Sequence, residues 1–319
     1  MNIQCLVLLV LVAAVPVAQA QTRKWPEKPV RIIVPFAPGG SVDIIARMTA
    51  SRFTERFGQQ FVVDNRTGAG GTIAAAITVR ANPDGYTMIM LSSGFTASAA
   101  LYKLSYDPVR DVVPVGMVAE GPMFLVAHPS VKAANVKEFI ELSRTGSEPL
   151  RYGSGGVGSS THLATELFRQ MAKASLTHVP YKGVGAALTD LLGGQIHFYI
   201  SPGAAVLPHA SAGRLRLIAV TGEQRSPDMP DLPAISEVVP GYSATFWYGL
   251  GVPAHTPQDV IALVNQEIAR MLKQPDVQKR LRGDDLRPAH SAPGEFARRI
   301  AHDIAMWVKV VKNGNIRVE

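Results

Sequence analysis

Cysteine is almost missing from this sequence. The single one among 319 residues is Cys5, inside an apolar leader. A chain cleaved after that leader has no thiolate nucleophile, no disulfide and no cysteine metal site. Runs of like charge are also missing. The formal net charge is +7, but the Lys and Arg residues are scattered. That leaves no basic stripe for nucleic acid, while a mildly positive field favours anionic small molecules. Beyond the leader no stretch is long and apolar enough to span a bilayer, and no repeat period is visible. What is left is an ordinary globular composition, in a length that suits two domains or one large one.

The leader runs from Ile3 to Ala18, apolar apart from Gln4, with no charge before Arg23. It ends in Ala18-Gln19-Ala20, an A-x-A pattern, and reads as a secretory signal peptide cut after Ala20. The n-region lacks Lys and Arg and Pro16 interrupts the run, but the run is short for a membrane anchor. The expected mature chain is soluble and exported.

The mature chain is organised around Arg31-Ile-Ile-Val-Pro-Phe-Ala-Pro-Gly-Gly-Ser-Val-Asp43. Arg31 to Phe36 is an apolar, β-branched run that predicts a buried strand. Pro38, Gly39 and Gly40 predict a sharp turn. From Ser41, a natural N-cap, Ile44, Ile45, Met48 and Phe53 follow helical spacing. A strand, glycine turn and helix start can be an ordinary βα connection or an anion site built from free amides and a helix dipole. A second copy favours the anion site. Strand Leu150 to Tyr152 leads into Gly153-Ser-Gly-Gly-Val-Gly-Ser-Ser-Thr-His162 and then a helix. Four glycines there expose amides, and Ser159, Ser160 and Thr161 add hydroxyls.

Strands and helices alternate elsewhere too, which predicts parallel α/β sheets. Strands are expected at Phe61–Asp64, Thr87–Leu91, Leu176–Val179, Ile196–Ile200 and Leu215–Val220. Val112–Val118 and Met123–His128 read as two strands separated by Glu120-Gly-Pro, and a mostly helical tail follows Val252. The βα units form two blocks, and the chain is expected to cross between them near Met123–His128 and near Thr245–Val252. The resulting domains are 21–124 with 245–319, and 125–244, with a ligand cleft between them.

Other motifs in the chain fit catalytic or metal chemistry poorly. Gly153 to Gly158 formally matches G-x-G-x-x-G, but the next strand ends in His178-Val-Pro-Tyr-Lys182 without the acid that a dinucleotide site needs. No nucleophile elbow exists: Tyr152 stands where Ser154 needs a glycine, and Val157 where Ser159 needs one. His162 and Glu166 are one helical turn apart and could share a metal, but no third ligand is evident; a capping His and a solvated Glu are the alternative. Lys182 either pairs with an anion or is simply exposed. Tyr181 and Trp247 read as cleft walls or hinge core.

The chain resembles the receptor family of tripartite tricarboxylate transporters, the Bug-type periplasmic solute-binding proteins. The matching motifs span the mature chain. They include Trp25-Pro-Glu-Lys-Pro29, Val34-Pro-Phe-Ala-Pro-Gly-Gly40 with Asp43, and Asn65-Arg-Thr-Gly-Ala-Gly-Gly71. They continue through Pro83-Asp-Gly-Tyr86, Tyr106-Asp-Pro108, His178-Val-Pro-Tyr-Lys-Gly183, Leu188 to Gln195 and Ala219-Val-Thr221. The resemblance implies an α/β, two-domain periplasmic binding protein of type II, venus-flytrap form, with two crossover strands as hinge. It implies no catalysis and no cofactor. A monomer would carry a small organic carboxylate to a membrane permease of the tripartite tricarboxylate type, or to a sensor. A periplasmic hydrolase on the same fold is the alternative from another class.

The expected ligand elements are the two turns, where backbone amides, hydroxyls and waters hold a carboxylate without an arginine clamp. The first turn contributes Phe36, Pro38, Gly39, Gly40, Ser41 and Asp43, with Ser92 and Ser93 after the third strand. The second contributes Ser154, Gly155, Gly156, Gly158, Ser159, Ser160 and His162, joined by Tyr181, Lys182 and Ser201. The sequence departs from the family at Ile196-His-Phe-Tyr-Ile-Ser201, where His197 and Ser201 replace common acids, and over Ser92 to Ala100. An Asp at position 201 could pair with an ammonium group and a serine cannot, so plain carboxylates are expected over amino acids.

Overall fold

The computed structural model describes residues 25–317. The leader and its cleavage site lie outside the described residues. The first block alternates β1 (Val30–Val34), α1 (Ser41–Phe57), β2 (Phe61–Asn65), α2 (Thr72–Val79), β3 (Thr87–Ser92) and α3 (Ser93–Leu101), ending in the long strand β4 (Val112–Ala127). The second continues through α4 (Val136–Thr145), β5 (Leu150–Ser154), α5 (Ser160–Ala172), β6 (Leu176–Pro180), α6 (Val184–Leu192), β7 (Phe198–Pro202), α7 (Gly203–Ser211) and β8 (Arg216–Val220). The last stretch holds β9 (Thr245–Pro253), α8 (Gln258–Met271), α9 (Pro275–Arg282), β10 (Arg287–Pro288) and α10 (Pro293–Asn313).

The strands form two sheets that share β4. One runs β2-β1-β3-β9-β4-β10 and the other β8-β4-β7-β5-β6. Strands that follow helical crossovers pair in parallel: β1 with β2 and β3, and β5 with β6 and β7. The sheets are nevertheless mixed, not purely parallel, because β4 and β9 enter antiparallel to their neighbours.

Where two strands are expected around Glu120-Gly-Pro, there is one. Val112 to Pro122 pairs with β9 in the first sheet, and Met123 to Ala127 with β7 and β8 in the second. Gly121-Pro122 does not break it. Pro122 lacks a donor only at the point where the strand changes partners, and Gly121 sits so close to the Asp285 carbonyl that a Cβ would approach it to 2.5 Å. The chain returns between Ala244 and Thr245. Both passages therefore lie just before the segments expected from sequence. Buried Thr221 ties the two together. Its hydroxyl accepts from Met123 N (2.7 Å) and donates to Ala244 O (2.6 Å).

Each sheet has its own apolar packing. Phe53 and Phe61 meet edge to face at 5.3 Å under the first sheet, with Trp25 against Phe57 at 5.6 Å, so the Trp25-Pro lead-in is a core anchor. Phe139 and Phe198 meet at 4.8 Å under the second. Trp247, fully buried opposite Glu120, belongs to the hinge core.

Candidate functional site

The direction of the strands decides where a ligand can bind. Ser92 at the end of β3 pairs with Tyr248, which in turn pairs with Ala119 just before the first passage. Pro202 at the end of β7 pairs with Met123 just after it. The carboxyl ends of β1, β3, β5 and β7 thus converge on the crossovers from both sides. Each is followed by a helix: α1, α3, α5 and α7. Of the four, only α5 has a side-chain cap, Ser159 accepting from His162 N at 3.2 Å. Uncapped first-turn amides and aligned dipoles at one place favour an anion.

In the first turn, Pro38, Gly39 and Gly40 are exposed. Gly39 has φ +82°, a conformation that favours glycine, whereas Gly40 (φ −75°) does not require it. Asp43 is turned inward. Its carboxylate accepts from Gly39 N (2.9 Å), Asn65 Nδ2 (2.9 Å) and Arg47 Nε (2.8 Å). Burial pushes its pKa up, but these bonds outweigh burial and hold it below the usual value. It braces the turn. Asn65 also donates to Phe36 O at 2.9 Å, which ties β2 to the same loop.

The second turn is wired differently from the sequence expectation. Its glycine amides are not free. Gly155 N donates to Thr161 Oγ1 (3.0 Å), Gly156 N to Ser154 Oγ (3.1 Å) and Gly158 N to His162 Nδ1 (3.0 Å). Ser159 N is taken as well, donating to Gly156 O at 3.1 Å. Ser154 Oγ lies 2.6 Å from His178 Nε2. That contact is the geometry of a nucleophile and base, but Ser154 is wholly buried. Burial and the neighbouring His162 push His178 down to about 3, so its basicity is poor for proton abstraction near neutral pH. His162 is likewise neutral, lowered to about 4 by burial and then by Arg169. The two rings stack at 3.9 Å, with Tyr152 stacked on His178 at 4.9 Å. His162 thus supports the loop from inside. The Glu166 expected in solvent is buried and accepts from Tyr152 at 2.7 Å and Arg169 at 2.8 Å. No cluster able to hold a metal occurs among the described residues.

Tyr181 is half-buried and donates to Asp190 Oδ2 at 2.7 Å, while Lys182 is exposed. Ser201 is buried on β7. His197 sits at the other end of that strand, accepting from Arg151 N at 2.8 Å, away from the crossovers.

Two groups that sequence reading missed stand beside these residues. The hydroxyls of Tyr248 and Tyr199 are buried without a hydrogen-bond partner, as are those of Ser92 and Ser93. Tyr248 approaches Ser41, and Tyr199 approaches Thr161 and Ser201. Burial raises both phenols, so both are neutral. One unsatisfied tyrosine hydroxyl per sheet is thus aligned with each turn. In sequence, each reads as an apolar strand residue.

The histidine stack sets a pH expectation. Both rings titrate lower folded than unfolded, so the folded chain binds fewer protons below about pH 6.5 and loses stability as pH falls toward about 3. At about 1.4 kcal/mol per unit, stability is expected to drop by at least about 2 kcal/mol between pH 7.5 and 4.5 in urea unfolding. A His178→Gln variant should show a flatter profile. An identical profile would mean that the stack does not control the loss.

Two α/β lobes, joined by two crossovers with helix N-termini facing the join, define a periplasmic binding-protein architecture. The profile of the tripartite tricarboxylate transporter family receptor matches residues 45–316, and the chain belongs to that family of periplasmic solute-binding receptors. It is 33% identical to protein BugT of Bordetella pertussis over 299 residues, covering 92% of each chain. Among solved structures it is similar to Rpa4515 of R. palustris with adipate (37% identity, TM-score 0.85, 92% of this chain and 99% of that one). It is also similar to MatC of Rhodopseudomonas palustris with bound malate (31%, TM-score 0.82, 90% and 100%). No helix among the described residues is long and apolar enough to cross a membrane.

Proposed function

We propose that this chain captures a small carboxylate without an ammonium group between its two lobes and hands it to a membrane permease of the tripartite tricarboxylate type. The lobes are residues 21–124 with 245–319, and 125–244; ligand contacts on both favour their closure. The chain acts in the periplasm after cleavage behind Ala20. The observation that carries the reading is the convergence of the uncapped α1, α3 and α7 N-termini with buried, unpartnered hydroxyls of Ser92, Ser93, Tyr199 and Tyr248. Neutral donors can hold a carboxylate, and Asp43, the acid of the first turn, is fully engaged and so is not offered to an ammonium group. The dicarboxylates bound by two relatives support the same class.

The test is a thermal-shift panel that pairs each acid with its amino analogue: succinate and malate beside aspartate, glutarate beside glutamate, and adipate beside 2-aminoadipate. A plain acid is expected to raise the melting temperature by several degrees at saturating concentration, and its amino analogue by far less. Consistent preference for the amino member of each pair would overturn the reading.

A further inference from the structure

The two lobes also touch each other outside the crossovers. Leu101, the last residue of α3 in the first lobe, lies directly on Gly158 in the second turn. The approach is so close that a Cβ on Gly158 would overlap Leu101 Cδ2. Gly158 is buried, whereas Val157 and Ser159 on either side of it are only half-buried. Towards the other end of α5, Gln170 Nε2 donates to Val310 O of α10 at 3.0 Å. Gly314, just past α10, lets that amide approach: a Cβ there would stand 2.9 Å from Gln170 Nε2. Helix α5 of the second lobe is thus docked near both ends on helices of the first.

Both partners in the Leu101 contact are held from within their own lobe. Gly158 has φ +75°, a conformation that favours glycine, and its amide donates to His162 Nδ1 at 3.0 Å. On the other side, Ser98 lies one turn before Leu101 and donates to Gly70 O at 2.6 Å. The ring of Tyr102, the next residue, also stands against Gly70, 3.1 Å from where a Cβ would lie. An apolar side chain therefore meets a fixed stretch of backbone, and the contact removes its surface from water. It runs from protein to protein, so it forms with the cleft filled or empty. Helix α3 also begins at the cleft, with Ser92 as its N-cap and Ser93 as its first residue.

We propose that Leu101 is a positioning residue for capture. Its seat on Gly158 holds the two lobes together without ligand, and its release, by rotation about the two crossovers, is the step that admits the ligand. The ligand then meets lobes already biased towards closure. The link to capture rests on the cleft reading above; the contact itself does not.

The test is a distance measurement between spin labels at Lys103→Cys and Ala186→Cys, exposed on the first and second lobe. After the leader the chain has no cysteine of its own. Bound ligand is removed by unfolding in urea and refolding, and nothing is added back. With Leu101 and Gly158 in place, one narrow distance distribution is expected. Leu101→Ala is expected to broaden it and add a longer-distance population. Leu101→Met, which refills the space, is expected to keep it narrow. Gly158→Ala puts a Cβ where Leu101 sits and is expected to part the lobes from the other side. Melting transitions show which variants are folded, and those decide. A broad distribution with both residues in place overturns the proposal. So does a narrow one that persists in folded Leu101→Ala and Gly158→Ala, or equal broadening in Leu101→Met.

Discussion

Gly156→Val is expected to weaken ligand binding by at least about tenfold, on the order of 1.4 kcal/mol. Gly156 has φ +123°, a conformation that a β-branched residue rarely adopts, and its Cβ would lie 3.2 Å from the Tyr181 carbonyl. Its amide donates to Ser154 Oγ (3.1 Å) and its carbonyl accepts from Ser159 N (3.1 Å). Moving this residue unties the loop that sets the start of α5. Gly40→Val makes the comparison informative. There φ is −75° and the nearest contact of a Cβ, Ala37 O, is an ordinary 3.6 Å. A loss of affinity at Gly40 with unchanged stability would therefore report close approach of the ligand itself, whereas at Gly156 loop strain contributes as well. Calorimetry with the acid that binds best reads both. Wild-type affinity in a folded Gly156→Val variant would refute the role of the second turn.

Trp247→Ala is expected to cost about 3–5 kcal/mol of stability, the usual range for truncating a fully buried large aromatic. Trp247 is fully buried, edge to face with Phe296 at 5.1 Å, and its Nε1 donates to Asp303 at 2.8 Å. The truncation leaves a cavity beside the first passage and removes one of the donors that hold the buried Asp303 carboxylate. In urea the unfolding midpoint should fall sharply. A loss below about 1 kcal/mol, under the range for large core truncations, would mean that the hinge core tolerates the void and that Trp247 is not its anchor.

Much of this architecture can be read from the chain, for identifiable reasons. Arg31 to Phe36 and Leu150 to Tyr152 announce strands because β-branched and apolar residues run straight into glycine turns, and the structure places β1 and β5 there. Helix α3 carries no such signal. Ser93-Gly-Phe-Thr-Ala-Ser-Ala-Ala-Leu101 is built from small residues and offers no apolar stripe at helical spacing. The continuity of β4 was hidden by Gly121-Pro122, because whether a proline breaks a strand depends on whether its missing N–H falls at a pairing position.

The turns are legible from their glycines, but the wiring within them is not. Sequence cannot tell that the amides of Gly155, Gly156 and Gly158 are spent inside the loop, or that Asp43 and His162 brace the turns from within. Nor can it single out Tyr199 and Tyr248. A tyrosine in a buried strand looks like any aromatic, and what distinguishes these two is a hydroxyl left without a partner. Thr221 is similar: its role rests on the meeting of residues 123, 221 and 244, which only the fold brings together.

The central claim is capture of a plain carboxylate in the cleft, and mass spectrometry of ligand released from natively purified protein tests it most directly. The expected result is a small organic acid without an amine, retained at up to one per chain and unchanged on prolonged incubation. A retained amino acid, or conversion of the bound acid to a product, would contradict it.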